Sequence, residues 1–393
     1  MGFELTLARR LSWKAEGRRH ASAAVGVAVA GVALSVAVML LSVAVMLGFK
    51  GEVTKRILAL DDAITITGYS DDNTPASFNP AEVLDAVDLP AGARTTVHTS
   101  IPAILKTPDD FMGLQLESRP GDDAPADSVI VISRSTARKL RLAEGDRVAA
   151  YFFTDGRLRT RALTVGSPYS SGFAEHDDAI AYCSPRLPEQ LLGLAPGHAH
   201  SLGITGLEPD HIEPLASRIY SELLNAFYEG KLTAAYGIST IFQTRGSFFS
   251  WLGLLDTNVV VIIVLMSLVS GFTLISSLFI IILERVRTIG LLKALGATNR
   301  QIRRTFMFMA ERLVIRGLVI GNAIGIGLVW LQSTTHILPL DQASYYVDFV
   351  PVTFSPIAII ALNAGALGLS WLVLMLPAII IARISPATTM RYD

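Results

Sequence analysis

One cysteine, Cys183, is all that the 393 residues contain, so no intrachain disulfide holds any part of the fold. Charge is scarce as well. Asp, Glu, Lys and Arg make up 17% of the chain, against roughly 25% in soluble proteins. A net charge of -1 gives no overall basic surface, which argues against a nucleic-acid partner. The sequence also has no G-x-x-x-x-G-K-[ST] loop for nucleotide phosphates, no G-x-S-x-G, no H-E-x-x-H and no EF-hand loop. It therefore reads as a non-catalytic chain, with no catalytic residue, metal site or cofactor of its own.

What the chain does have is apolar length: 51% of residues are hydrophobic, and the mean hydropathy is positive. Four runs, 21–47, 258–283, 317–338 and about 356–382, meet the roughly 20 residues needed to span a hydrocarbon core. The first is longer than the ~7–15 residues of a signal-peptide apolar region, and a basic segment precedes it. The middles of these runs carry no Asp, Glu, Lys or His, and their most deeply placed polar residues are Asn322 and Asn363. Ion-coupled transporters place ionisable groups at that depth. No coupling-ion pathway is read here.

Loop charges set the orientation. Between the second and third runs lie Arg285, Arg287, Lys293, Arg300, Arg303 and Arg304 against Glu284 and Glu311. The first residues hold Arg9, Arg10, Lys14, Arg18 and Arg19 against Glu4 and Glu16, and the tail holds Arg383 and Arg391. The connection between the third and fourth runs has Asp341 and Asp348 and no Lys or Arg. Because short basic loops stay in the cytoplasm, both termini are expected inside. The expected fold class is an α-helical membrane protein with four transmembrane helices, plus a mixed α/β extracytoplasmic domain inserted between the first and second. Its parts are a cytoplasmic amphipathic elbow (1–20), transmembrane helices at 21–49, 257–283, 313–338 and 356–382, the external domain (50–256), a cytoplasmic loop (284–312), an external loop (339–355) and a cytoplasmic tail (383–393).

Within the external segment, AITITGY from Ala63 alternates as a strand should, and Asn79 with Pro80 starts a helix. ARTTVHTSIPAILKT reads as one strand, GLQLESR as another, Ser135–Leu140 as a helix, and Asp155-Gly156 as a tight hairpin turn. Strands often follow one another without a helix between, so two small α/β subdomains are expected rather than a doubly wound sheet. Glu175, His176, Asp177 and Asp178 are weighed as metal ligands and read instead as a solvated strand entry, since neighbours on a strand point to alternate faces. His198 and His200 read as a surface loop, and Cys183 as a small core residue.

The informative motif is the basic loop, ERVRTIGLLKALGATNRQIRRTFMFMAE. Gly290 is expected to break the helix continuing from the second run, LLKAL to make a helical turn, and Gly296 to cap it in the left-handed region. Thr298 and Gln301 make a capping box for the next helix. The result is helix, short transverse helix, helix, tied mechanically to a spanning helix at each end. The alternative is a turn whose basic residues bind anionic headgroups. In the third run, Gly317, Gly321 and Gly325 form a smooth stripe for helix packing.

IGLLKALGA in this loop resembles the cytoplasmic loop of FtsX-like ABC-transporter permeases, including the lipoprotein-releasing LolC/LolE type and the MacB type. FELTLARRL, GFKGEVTKRI, VISRSTARKLRLAEGDRV, LTVGSPYSSGFAEHDDAIAY and ISPATTMRYD extend the likeness over the chain. The resemblance implies that Ile289, Gly290, Leu292, Lys293, Ala294, Leu295, Gly296 and Ala297 form a coupling helix docking on a separate ATP-binding subunit of the LolD/MacB type, which would hold ATP and Mg. It further implies a second permease chain, identical or related, a lipoprotein cargo, and a place in the bacterial inner membrane with the large domain periplasmic. The other family function is mechanotransmission to a cell-wall hydrolase. Thr288 stands where the family often has an acidic residue, and FFTDGRLRTR is a short hairpin where LolC-type proteins have a protruding hook.

Overall fold

The computed structural model describes residues 19–380, apart from 71, 73, 119–123, 155, 196, 233 and 342–344. The elbow expected before residue 19, the tail 383–393 and Asp155 of the hairpin turn lie outside the described residues. Contacts divide the chain into a helical unit, residues 1–51, 251–339 and 349–393, and an α/β unit, residues 52–250 and 340–348.

Among the described residues four long helices occur, Arg19–Leu60, Gly246–Glu284, Asn299–Thr335 and Pro356–Ile380. Each is long and apolar enough to cross a membrane. The first three, of 42, 39 and 37 residues, exceed the ~20 residues that a bilayer core requires. The first helix is the most enclosed, because its small residues admit neighbours. A Cβ on Gly31 would stand 2.8 Å from Thr273 on the second helix, and one on Gly48 2.6 Å from the Pro351 carbonyl. Ala28, Val32 and Val36 join Leu274, Leu278 and Ile281 of the second helix and Phe306, Leu313 and Leu318 of the third in one apolar core. Gly26 and Ala30, small residues at helical spacing, are exposed, and a Cβ at Gly26 would meet nothing within 4 Å.

The third helix approaches the first through its glycines. Ideal Cβ atoms would lie 2.7 Å from Val32 at Gly317, 2.6 Å from the Ala33 carbonyl at Gly321, and 3.3 Å from Ala37 at Gly325. Helix association in lipid depends on close packing of this kind rather than on a hydrophobic drive.

Third and fourth helices are joined by a reciprocal amide pair. Asn322 Nδ2 donates to Asn363 Oδ1 at 2.7 Å, and Asn363 Nδ2 donates to Asn322 Oδ1 at 3.0 Å. Each amide also donates to the carbonyl one turn before it, Leu318 and Ile359. Removing one partner leaves the other amide short of a partner, whereas removing both does not. Asn322→Leu or Asn363→Leu alone is expected to cost about 1 kcal/mol in reversible unfolding from detergent, and the double variant less than the sum of the two.

Among the described residues of the α/β unit, eleven strands form two assemblies. The first is an antiparallel sheet in the order β11-β1-β10-β3, made of Ala235–Thr240, Ile64–Tyr69, Ser201–Thr205 and Arg94–His98, with β2 (Pro75–Ala76) on β1. Helix Pro209–Tyr228 turns Ile212, Ala216, Ile219 and Leu223 inward at helical spacing. The second is a closed barrel, β4-β5-β9-β6-β8-β7, made of Ser100–Lys106, Phe111–Ser118, Ile180–Cys183, Val129–Val131, Arg157–Val165 and Arg147–Thr154. Ile101, Leu105, Leu116, Ile130 and Phe152 fill it, with Cys183 beside them. Closure leaves this sheet without unpaired edges. β7 and β8 pair as a hairpin whose last pair is Thr154–Arg157, with no projecting hook among its described residues.

Two local readings need correcting. ARTTVHTSIPAILKT is two strands in different assemblies, because Thr99 N–H donates to Ser118 Oγ at 2.8 Å while Ser118 N–H donates to the Thr99 carbonyl at 2.9 Å, turning the chain from sheet into barrel. Residues 174–179 form a helical turn rather than a strand entry. His176 and Asp177 are buried, not solvated. Asp177 accepts from Ser171 N–H and Oγ, and Asp178 from Lys139 and Ser135, so these carboxylates hold the preceding loop and a neighbouring helix.

One charged clamp joins sheet and barrel. His98, at the end of β3, has Nε2 2.9 Å from Asp62 and Nδ1 2.7 Å from Glu117 on β5. Burial opposes charge on the ring, but the two carboxylates outweigh it and push the His98 pKa up to about 10. A folded-state value above the unfolded ~6.5 gives stability that is complete below ~6.5 and disappears as pH rises through about 10. Thermal unfolding of the full chain is therefore expected to show a decline in stability between pH 6.5 and 10, and His98→Gln is expected to flatten that decline.

Candidate functional site

The basic loop is built from three local devices. First, the second long helix stops at Glu284, where Arg285 leaves helical geometry with φ −103° and ψ 11°. A new helix then runs Val286–Ala294. The break thus lies at Arg285, and Gly290, expected to be the breaker, sits buried in mid-helix. Glycine costs a helix only ~1 kcal/mol relative to alanine. Beside fully buried Ile289, its missing side chain suits a position packed inward.

Second, the transverse helix ends in a Schellman motif. Gly296 has φ +92°, its N–H donates to the Lys293 carbonyl at 3.0 Å, and Ala297 N–H reaches the Leu292 carbonyl at 2.9 Å. Third, Thr298 caps the next helix. Gln301 N–H donates to Thr298 Oγ1 at 3.3 Å, and Thr298 N–H donates to Gln301 Oε1 at 2.9 Å. Cap follows cap with one residue, Ala297, between Gly296 and Thr298. The direction change is fixed by hydrogen bonds rather than left to a slack loop.

Packing gives the segment two faces. Ile289 is fully buried in the core formed with Ile302, Phe306 and Ile281, and Leu292 and Ala297 pack partly against it. Lys293 is half-buried, while Ala294, Leu295 and Gly296 are exposed. Leu295 is 77% exposed and Leu291, one turn earlier, 59%. Of the eight residues expected in a coupling helix, Ile289, Gly290, Leu292 and Ala297 anchor the segment, and Ala294, Leu295 and Gly296 present outward. Leu291 was not among the eight. Its position four residues before Leu295, on the same helical face, is the signal that marks it.

Full burial of a leucine contributes about 1.5–3 kcal/mol relative to exposure. A pair of them held outward on a rigid, double-capped turn is suited to docking rather than to chemistry. Among the described residues, no group of three or more His, Cys, Asp or Glu is placed to hold a metal ion.

Residues 260–386 match the family described as FtsX-like permease C-terminal, a span that includes the whole transverse helix, its caps and the third long helix. The chain carries an FtsX-like permease C-terminal domain. Among curated relatives it is 23% identical over 248 residues to the lipoprotein-releasing system transmembrane protein LolC of Xylella fastidiosa, covering 60% of this chain and 56% of that one. It is 26% identical over 193 residues to LolE of Haemophilus influenzae, covering 47% and 45%. It is 25% identical over 244 residues to the macrolide export ATP-binding/permease protein MacB of Rhodopirellula baltica, covering 61% and 33%. The chain spans about half the length of the LolC and LolE relatives it matches, and the domain match together with that likeness supports an ABC permease of the LolC/LolE type.

A second element belongs with this permease's site. Residues 340–348, between the third and fourth long helices, pack within the α/β unit. Arg56 donates to the Tyr346 carbonyl at 3.1 Å and to Asp348 at 3.0 Å, and Phe173 stacks on Tyr346 with ring centroids 4.8 Å apart. Residues 340–348 thus belong to the α/β unit, although they follow the third long helix in the chain. Their sequence showed only acidic residues without Lys or Arg, and nothing in that pattern indicated an anchor.

Proposed function

We propose that this chain is the membrane subunit of an ATP-driven complex, in which the segment Val286–Ala297 docks on a separate ATP-binding subunit of the LolD/MacB type. Nucleotide-driven closure of that subunit moves the transverse turn. The second long helix, which meets it at the break at Arg285, and the third, capped onto it by Thr298, carry the movement to the α/β unit on the periplasmic side. The observation that carries this reading is the exposed Leu291–Leu295 pair on a helix whose other face is locked into the core. A second permease chain, identical or related, completes the complex, and the exposed Gly26, Val27, Ala30 and Leu34 of the first helix offer it a face. ATP and Mg belong to the partner subunit.

The cargo proposed is a lipoprotein released from the bacterial inner membrane. Its support is the name of the LolC and LolE relatives. Both termini are placed in the cytoplasm on loop charge. Among its described residues the β7–β8 hairpin carries no hook for a carrier, and release is proposed without carrier capture there. The test is purification of the tagged chain followed by crosslinking from the α/β unit. An ATP-binding protein and a second permease in the eluate, with acylated lipoproteins trapped on the α/β unit, are expected. Trapping of a soluble cell-wall hydrolase or its activator would replace release with mechanotransmission, and absence of any ATP-binding protein would remove the proposal.

A further inference from the structure

Between the third long helix and the fourth lies a cavity of about 430 Å³, within the ~300–1,000 Å³ of sites that take small molecules. Its lining combines charge and apolar surface. Arg300, Arg303 and Arg304 lie nearest the start of the third helix, Phe308 and Glu311 one to two turns further on, and Trp371 and Met375 come from the fourth. The arginines are exposed, and Trp371 and Met375 are 53% and 40% exposed. Positions 300, 304, 308 and 311 recur every three or four residues, so one face of the third helix supplies both the charge and the first apolar contact.

A matching ligand must carry negative charge at one end and hydrocarbon at the other. Among the described lining residues, three arginines stand with one carboxylate, which favours an anion, and arginine suits phosphate in particular because its planar fork matches the phosphate oxygens. The apolar part narrows the choice further. Trp371 and Met375 lie on Pro356–Met375, a helix long and apolar enough to cross a membrane. A soluble phosphate would leave that wall uncovered, whereas an acyl chain would lie along it. Trp also favours the headgroup level of a bilayer.

We infer that this cavity binds an anionic glycerophospholipid, with Arg300, Arg303 and Arg304 at its phosphate and Phe308, Trp371 and Met375 along the start of an acyl chain. The inference goes beyond the proposed function. It rests on the long helices crossing a membrane and on neither the cargo nor the ATP-binding partner.

Trp371 is a built-in reporter. The full chain carrying Trp13→Phe, Trp251→Phe and Trp330→Phe is reconstituted in phosphatidylethanolamine vesicles containing increasing phosphatidylglycerol, with brominated acyl chains on one lipid or the other. Quenching of Trp371 by brominated phosphatidylglycerol is expected to exceed that by brominated phosphatidylethanolamine at equal mole fraction, corresponding to a preference of about fivefold or more. Arg300→Gln with Arg303→Gln is expected to bring that preference close to one. Native mass spectrometry of the chain with all four tryptophans provides a second readout, with retained phosphatidylglycerol lost in the double variant. Equal quenching by both lipids, a preference unchanged by the arginine substitutions, or a Trp371 shielded from both by another protein segment would each overturn the assignment.

Discussion

Leu295→Asp combined with Leu291→Asp is expected to abolish co-purification of the ATP-binding subunit while leaving the permease inserted and folded. Both side chains are exposed, at 77% and 59%, so replacing them removes little packing within the chain. Surface substitutions of this kind usually change stability by less than ~0.5 kcal/mol. At an interface the same change buries a carboxylate where apolar surface was matched. Loss of two leucine contacts of about 1.5–3 kcal/mol each corresponds to at least a hundredfold weaker binding, on the order of 3 kcal/mol or more. The control is Ile289→Asp, which places charge in the core with Ile302 and Phe306 and is expected to destroy folding as well as association. An intact Tm with lost association at Leu295 and Leu291, set against lost Tm at Ile289, separates docking from structure.

Gly321→Leu is expected to have the largest effect on stability. The first and third helices approach so closely that even a Cβ at Gly321 would lie 2.6 Å from a backbone oxygen and 3.1 Å from the Ala33 Cα. Backbone cannot rotate away as a side-chain tip can, so the helices must part. Overpacking of a tight core costs about 1–3 kcal/mol even for added methylenes, and a leucine there exceeds the available space entirely. The graded series is more informative than the single variant. Gly321→Ala should destabilise more than Gly325→Ala, where the nearest atom would stand at 3.3 Å, and Gly327→Leu should be tolerated because a Cβ there meets nothing within 4 Å. Unfolding in detergent, followed by tryptophan fluorescence, measures the order. A ranking with Gly327 as costly as Gly321 would show that the cost is glycine's backbone freedom rather than contact with the first helix.

Legibility in the sequence followed the range of the interaction responsible. Gly296 as a left-handed cap and the Thr298–Gln301 box were readable because both are made within a few residues. Gly290 was misread for a related reason. A glycine's local preference argues against helix, but burial beside Ile289 decides the matter, and burial depends on the second and third helices folding against the turn. The four long helices were visible as apolar runs, although the first three continue well past the apolar stretch that marks them. Barrel closure was not legible, since it joins β4 to β7 and β6 to β8 across long intervals of chain. The His98 clamp has the same character. Asp62, His98 and Glu117 form no motif, and only the meeting of sheet and barrel puts both carboxylates within 3 Å of the His98 ring.

The polar ladder at Glu175–Asp178 shows how an alternation rule fails when its assumed element is wrong. Read as a strand, it sent successive side chains to opposite faces; as a helical turn it buries His176 and Asp177 together. The Arg56 anchor on residues 340–348 lay beyond sequence reasoning altogether, because its two halves are separated by most of the chain.

The exposed Leu291–Leu295 face, proposed as the docking site of an ATP-binding subunit, can be probed through the chain's own thiol chemistry. Its one native thiol, Cys183, is buried, and burial together with nearby Glu117 pushes its pKa up to about 12, so it stays unreactive at neutral pH. Leu295→Cys therefore introduces a uniquely reactive thiol at the site in question. Labelled with a short maleimide photocrosslinker in membranes and irradiated, it should trap an ATP-binding subunit as the principal adduct. Adducts with lipid alone, from a chain that still co-purifies with the ATP-binding subunit, would place docking elsewhere and contradict the account.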